Sequence, residues 1–225
     1  MNQQLENFVL SCIPPTKDPN ASYRRSHMKS FLESFLPSEV LEYNVEYNFH
    51  EVMSDGDCFF HTVIKFFSLI GIVNFTYNGK KLEEILNEDQ QIEYVNILTT
   101  IKELCINSCK EFIGETNFSL DNQLPEYELL CKCLADYYNL HVIVINYDFF
   151  RIENNSEKLN RIYSFKPADT NVQDCMFAIV NASHFTLIQP ELVDKNINQT
   201  SDQSSFRLFI ADHIIEKAKE IGIFF

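Results

Sequence analysis

The run Ser54-Asp55-Gly56-Asp57-Cys58-Phe59-Phe60-His61 delivers a cysteine, through a tight acidic-glycine turn, to the start of an apolar-periodic segment. Gly56 permits the sharp turn. Asp55 or Asp57 can cap the amides left open at a helix start. Phe59, Val63, Phe66, Phe67 and Ile70 then share one face of a 3.6-residue repeat. A thiol placed there feels the positive end of the helix dipole, which favours thiolate. Backbone N–H groups of the same turn, at Gly56, Asp57 and Cys58, are suited to receive a developing oxyanion. The chemistry on offer is nucleophilic attack by sulfur.

A thiolate nucleophile needs a base that takes its proton and later returns it to the leaving group. His184 fits, in Ala182-Ser183-His184-Phe185-Thr186-Leu187-Ile188, at the beginning of a late strand pattern. Its distance along the chain from Cys58 is no obstacle, because a Cys–His pair is assembled in space.

The surrounding elements must position the two groups. Tyr23–Leu36 reads as a helix closed by Pro37, with Met28, Phe31, Leu32, Phe35 and Leu36 inward. Tyr43–Met53 alternates as a half-buried strand leading into the cysteine turn. A polar stretch follows around Asn74–Lys81, then a long helix over 90–113. Pro125 opens another helix that runs into Leu140–Ile145, an apolar strand of the fully buried kind. Short strands are expected at Arg161–Phe165, Cys175–Val180 and Phe185–Ile188, and an amphipathic helix at Ser205–Gly222. The class is α+β, helices flanking a small mixed sheet.

Asp55-Gly56-Asp57-Cys58-Phe59-Phe60 resembles the Asp-Gly-x-Cys-Leu-Phe signature of the ovarian tumour (OTU) family of cysteine proteases. The apolar strand Cys175–Val180 followed by Ser183-His184-Phe185 is similar to that family's late strand and His-Tyr/Phe element. Between them, Tyr127-Glu128-Leu129-Leu130 leading to Val142–Ile145 matches its helix-then-strand segment. The resemblance covers roughly residues 40–192. It implies a papain-like OTU fold and a deubiquitinase that cleaves after the C-terminal glycine of ubiquitin or a relative. In that reading Cys58 is the nucleophile, His184 the base, and Gly56, Asp57 and Cys58 line the oxyanion hole. Relatives often carry Asn or Asp two positions after the histidine, where this chain has Thr186. Asp55, Thr186 and Asn181 are candidates for the third member, as is a carboxylate or amide from the N-terminal arm or the 43–53 strand. Ubiquitin or polyubiquitin chains would be the partner and no cofactor would be needed.

Composition bounds the alternatives. A net charge of −14 opposes a nucleic-acid partner, which needs a concentrated cationic surface, and suits attraction to a basic protein. The longest aliphatic run, Val142–Ile145, is too short for a bilayer, and Met1–Glu6 lacks the basic and apolar regions of a signal peptide. Seven cysteines at irregular spacing suit a reducing, cytoplasmic compartment better than a disulfide framework. Cys58-x-x-His61 has no second ligand pair, and Cys105, Cys109, Cys131 and Cys133 sit in apolar periodic settings, so no metal site is expected. Five glycines leave no phosphate loop or dinucleotide fingerprint. The Asn-, Ile- and Phe-rich, Gly-poor composition suits an AT-rich genome, and an effector acting in a host cytosol would fit it. The expected organisation is a loose arm over 1–22, one catalytic domain over 23–192, and a linker with C-terminal helix over 193–225, acting as a monomer.

Overall fold

The computed structural model describes residues 21–41, 44–52, 56–70, 76–77, 80–81, 95–103, 127–146, 161–168, 172–181, 184–193, 200–222 and 224. Among these the helices are α1 (Ala21–Ser34), α2 (Ser38–Leu41), α3 (Cys58–Ile70), α4 (Tyr127–Tyr138) and α5 (Thr200–Glu220). The strands are β1 (Val45–Glu51), β2 (Thr76–Tyr77), β3 (Lys80–Lys81), β4 (Leu140–Asn146), β5 (Arg161–Phe165), β6 (Asp174–Asn181) and β7 (His184–Leu192).

Strand β4 is apolar at almost every position because neither of its faces meets water. It pairs in parallel with β6, from Leu140↔Asp174 to Asn146↔Val180, and antiparallel with β5. The sheet order is β1-β7-β6-β4-β5, with β1 running antiparallel along the length of β7 from Val45↔Leu192 to Glu51↔Thr186. Side-chain alternation sends Leu140, Val142, Val144, Met176, Ala178, Phe185 and Leu187 to one core, shared with α3, α4 and the helical segment 95–103. Ile143, Ile145, Cys175, Phe177, Ile179 and Ile188 go to the other, shared with α1 and α5. This is the α+β architecture with a mixed sheet, and helices cover both faces.

Local chemistry explains the boundaries. Helix α4 stops at Asn139, whose φ of 56° lies in the left-handed region that asparagine tolerates, and its carbonyl accepts the Gln173 N–H at 2.9 Å. Pro37 closes the α1 segment and its carbonyl accepts the Val40 N–H at 2.9 Å, starting α2. The pattern for β7 predicts an end at Ile188, but the strand continues to Leu192. Pairing with β1 persists there after pairing with β6 has stopped, so Pro190, which has no N–H to donate, costs no ladder bond on the β6 side. Thr76–Tyr77 and Lys80–Lys81 form a small ladder where only a polar stretch is expected. Expectations for residues 1–20, for most of the 90–113 helix and for Pro125 lie outside the described residues.

Helix α5 begins five residues earlier than the apolar pattern indicates, because polar side chains bind its first turns to the sheet. The Gln203 amide donates to Leu192 O at 3.0 Å and accepts from Leu192 N–H at 3.1 Å. Arg207 donates from Nε and Nη2 to the two oxygens of Asp174, both at 2.7 Å, and Ser204 Oγ donates to Asp174 Oδ2 at 2.7 Å. Phe206, Ile210, Ala211, Ile214, Ile215 and Ala218 are buried against the sheet, while Phe209 and Ile221 stay exposed. Among the described residues no helix is long and apolar enough to cross a membrane.

The Asp174–Arg207 pair is almost wholly out of water, with side chains 5% and 4% exposed. Removing one partner leaves an uncompensated buried charge. Arg207→Met alone should cost about 3–5 kcal/mol in urea unfolding, and Asp174→Leu with Arg207→Met should recover much of that loss. Buried His141, which shares a 2.8 Å hydrogen bond with Ser164 Oγ, is pushed down to about 4, by burial first and then by Lys166. The folded state therefore binds its proton more weakly than the unfolded chain does. Stability from this group is complete above about pH 6.5 and is lost as pH falls towards 4, by roughly 3 kcal/mol at most. The fall in melting temperature between pH 7 and 4 should be shallower in His141→Gln.

Candidate active site

Gly56 has a φ of 90° and a Cβ placed there would meet nothing, so backbone conformation rather than space calls for glycine. Asp57 is the N-cap position of α3. Its carbonyl accepts the His61 N–H at 3.0 Å, the first bond of the helix, while its carboxylate pairs with Lys102 of the 95–103 segment. Lys102 also lies over the Phe60 ring, 5.7 Å from its centroid. The first-turn amides of α3 thus point out of a fixed helix end. Cys58 opens the helix, and Thr62 Oγ donates back to its carbonyl at 2.8 Å.

The single apolar face expected for α3 is too narrow. Phe60, Ile64 and Leu69 are buried as well as Phe59, Val63, Phe66 and Phe67. Ile97 and Ile101 join the same core, so α3 meets apolar neighbours from the 95–103 segment as well as from the sheet.

Phe59 packs edge-on against Phe185, with ring centroids 5.2 Å apart. The residue after the cysteine thereby touches the residue after the histidine, bringing the start of α3 to the start of β7. Val52, which follows β1, belongs to the same core. The ends of β1 and β6 and the beginnings of β7 and α3 therefore gather at one end of the sheet.

His184 is the first residue of β7 and half-buried, paired in register with Asn181. Phe185 and Leu187 enter the α3-side core, so His184 and Thr186 project from the other face of the strand. Glu51, directly opposite Thr186, meets both of them. Thr186 Oγ1 donates to Glu51 Oε2 at 3.1 Å, and His184 Nε2 stands 3.8 Å from the same oxygen. Arg25 Nη2 of α1 lies 4.0 Å from Glu51 Oε1. Neighbouring His50 turns to the other face, where burial, then Lys65, then Arg25, push it down to about 4.

Of the residues read from sequence, Thr186 and His184 are brought together, and Cys58 is held at the same sheet end on the α3 side. Asp55 lies outside the described residues, and the Asn181 side chain is outside them too. Glu51 is the residue that sequence reasoning did not name, although the 43–53 strand was flagged as a source of a carboxylate. Its signal was there: the last residue of a half-buried strand, acidic, just before the cysteine turn.

Cys58 is not in a disulfide and is only 3% exposed. Cys131, Cys133 and Cys175 are likewise outside any disulfide and buried among apolar side chains, and burial together with Asp174 pushes the Cys175 thiol well up. Among the described residues no group of three His, Cys, Asp or Glu side chains is arranged to hold a metal ion. No family model matches the chain, nor does any curated protein or solved structure.

In the folded protein, iodoacetamide should modify Cys58, at a helix start, before Cys131, Cys133 or Cys175, with peptide mapping as the readout. Labelling of all four at equal rates would mean that Cys58 has no reactivity of its own.

Proposed function

We propose that this chain is a thiol-dependent hydrolase of the OTU kind, with a papain-like OTU fold, acting on the (iso)peptide bond after the C-terminal glycine of ubiquitin. The observation that carries the reading is the Phe59–Phe185 contact at 5.2 Å, which joins the helix start bearing Cys58 to the strand start bearing His184. His184 takes the Cys58 proton and the thiolate attacks the glycine carbonyl. The turn amides of Gly56, Asp57 and Cys58 hold the oxyanion. His184 then protonates the leaving amine, and water, deprotonated by the same imidazole, releases the acyl group from sulfur. A glycine-terminated tail suits a narrow approach to a thiol that is almost covered. That none of the four cysteines among the described residues is in a disulfide suits a reducing compartment.

A second reading, a ubiquitin-binding module without catalysis, draws support from that same burial of Cys58. A ubiquitin probe carrying a C-terminal electrophile separates the two. The hydrolase should form a covalent adduct that Cys58→Ala abolishes, and His184→Ala should slow turnover of a ubiquitin C-terminal amide by about 10²–10⁴-fold. Reversible binding with no adduct would replace the hydrolase by the binding module. Adduct formation with a peptide electrophile but none with ubiquitin would keep the thiol chemistry and reassign the substrate.

A further inference from the structure

We infer that Glu51 is the group that orients His184, in place of the Asn or Asp that relatives carry where this chain has Thr186. The inference rests on the thiol-hydrolase reading. Two neighbours converge on one carboxylate oxygen: Thr186 Oγ1 donates to Oε2 at 3.1 Å, and His184 Nε2 faces that oxygen at 3.8 Å. The other oxygen, Oε1, is turned towards Arg25 at 4.0 Å. The Thr186 hydroxyl is the hydrogen bond that holds Oε2 on the imidazole side, and the half-exposed Arg25 is a looser, longer-range neighbour of Oε1.

The strand pairing makes this arrangement durable. Glu51 and Thr186 are direct cross-strand partners, and His184 is two residues along from Thr186 on the same face. The three side chains are therefore neighbours by the register of β1 on β7, independently of any loop. Thr186 is neutral and cannot itself stabilise an imidazolium, but its hydroxyl spends its proton on the residue that can. With Nε2 turned to Glu51, Nδ1 is the nitrogen directed away from the carboxylate, and it is the one the thiol-hydrolase reading would use for proton exchange. A separation of 3.8 Å is long for a hydrogen bond, and catalytic contacts commonly shorten when substrate is bound.

Glu51 of β1 stands 3.8 Å from this imidazole, and Arg25 of α1 stands 4.0 Å from the other oxygen of Glu51. His50 and Lys65 lie on the opposite face of the sheet, and Asp57 with Lys102 sits at the α3 start. Glu51 is thus the acidic group positioned to favour the imidazolium, and Arg25 opposes it only in part, from the far oxygen.

The test compares Glu51→Gln with wild type in steady-state hydrolysis of a ubiquitin C-terminal amide. Loss of orientation should lower kcat by about 100-fold while KM stays within about twofold. The alkaline limb of the kcat/KM profile should move to lower pH, since the imidazolium loses its counter-charge. Adding Thr186→Asp to Glu51→Gln should restore at least about tenfold of the lost kcat, because it returns a carboxylate to the same face. A loss that merely follows a lowered melting temperature, with the limb unmoved and no recovery in the double variant, overturns the assignment. If wild type forms no Cys58 adduct, the hydrolase reading fails by itself, and the pairing is then read by NMR titration of the His184 ring. Its midpoint should fall in Glu51→Gln; an unchanged midpoint overturns the pairing as well.

Discussion

A parallel pair of strands that must bury both faces is the constraint on which the molecule is built. β4 and β6 present apolar side chains alternately to two cores, so helices are required on each side. The parallel pairing also puts the carboxyl ends of β4 and β6 together, and β7 starts where β6 ends. One end of the sheet thus collects the terminus of β1, the beginning of β7 and, through Phe59 on Phe185, the beginning of α3. The candidate chemistry sits at that end because the topology sends the chain there three times.

The two cores are held by different means. On the α3 side the holding force is aromatic and aliphatic packing, with Phe59, Phe60, Phe66, Phe67 and Phe185 in one cluster. On the α5 side a buried fork-to-fork pair, Asp174 with Arg207, ties the helix to the strand, and its direction is unambiguous in a way that apolar packing is not. A carboxylate facing an arginine occurs again at Glu51 and Arg25, but there the arginine is about half exposed and the second carboxylate oxygen looks towards an imidazole. The same residue chemistry fastens a helix in one place and leaves a partly exposed, looser contact in the other. What differs is access to water.

Much of this was legible in the chain. The helix–strand junction from Tyr127 to Asn146 could be read because a 3.6-residue pattern gives way to a continuous apolar run. The start of α3 could be read because Gly56 and Asp57 carry the turn and the cap in their own covalent structure. What could not be read depended on second neighbours. Phe60, Ile64 and Leu69 looked like the outer side of α3, yet all three are buried in a core that also takes in Ile97 and Ile101. The residues of α5 before Ser205 looked like a polar linker because Gln203 and Ser204 bind partners on β7 and β6 that no local pattern can reveal.

Cys58 behind its turn, His184 at a strand start, and the alternation of β1 were determined by sequence alone, since each follows from residue types within a few positions of one another. The partner of His184 was decided only by tertiary structure. Glu51 lies far from it along the chain and on a different strand, and it became a neighbour through the register that pairs it with Thr186. Register is set by which faces of two strands must be buried together, a property of the assembled sheet and of no single segment.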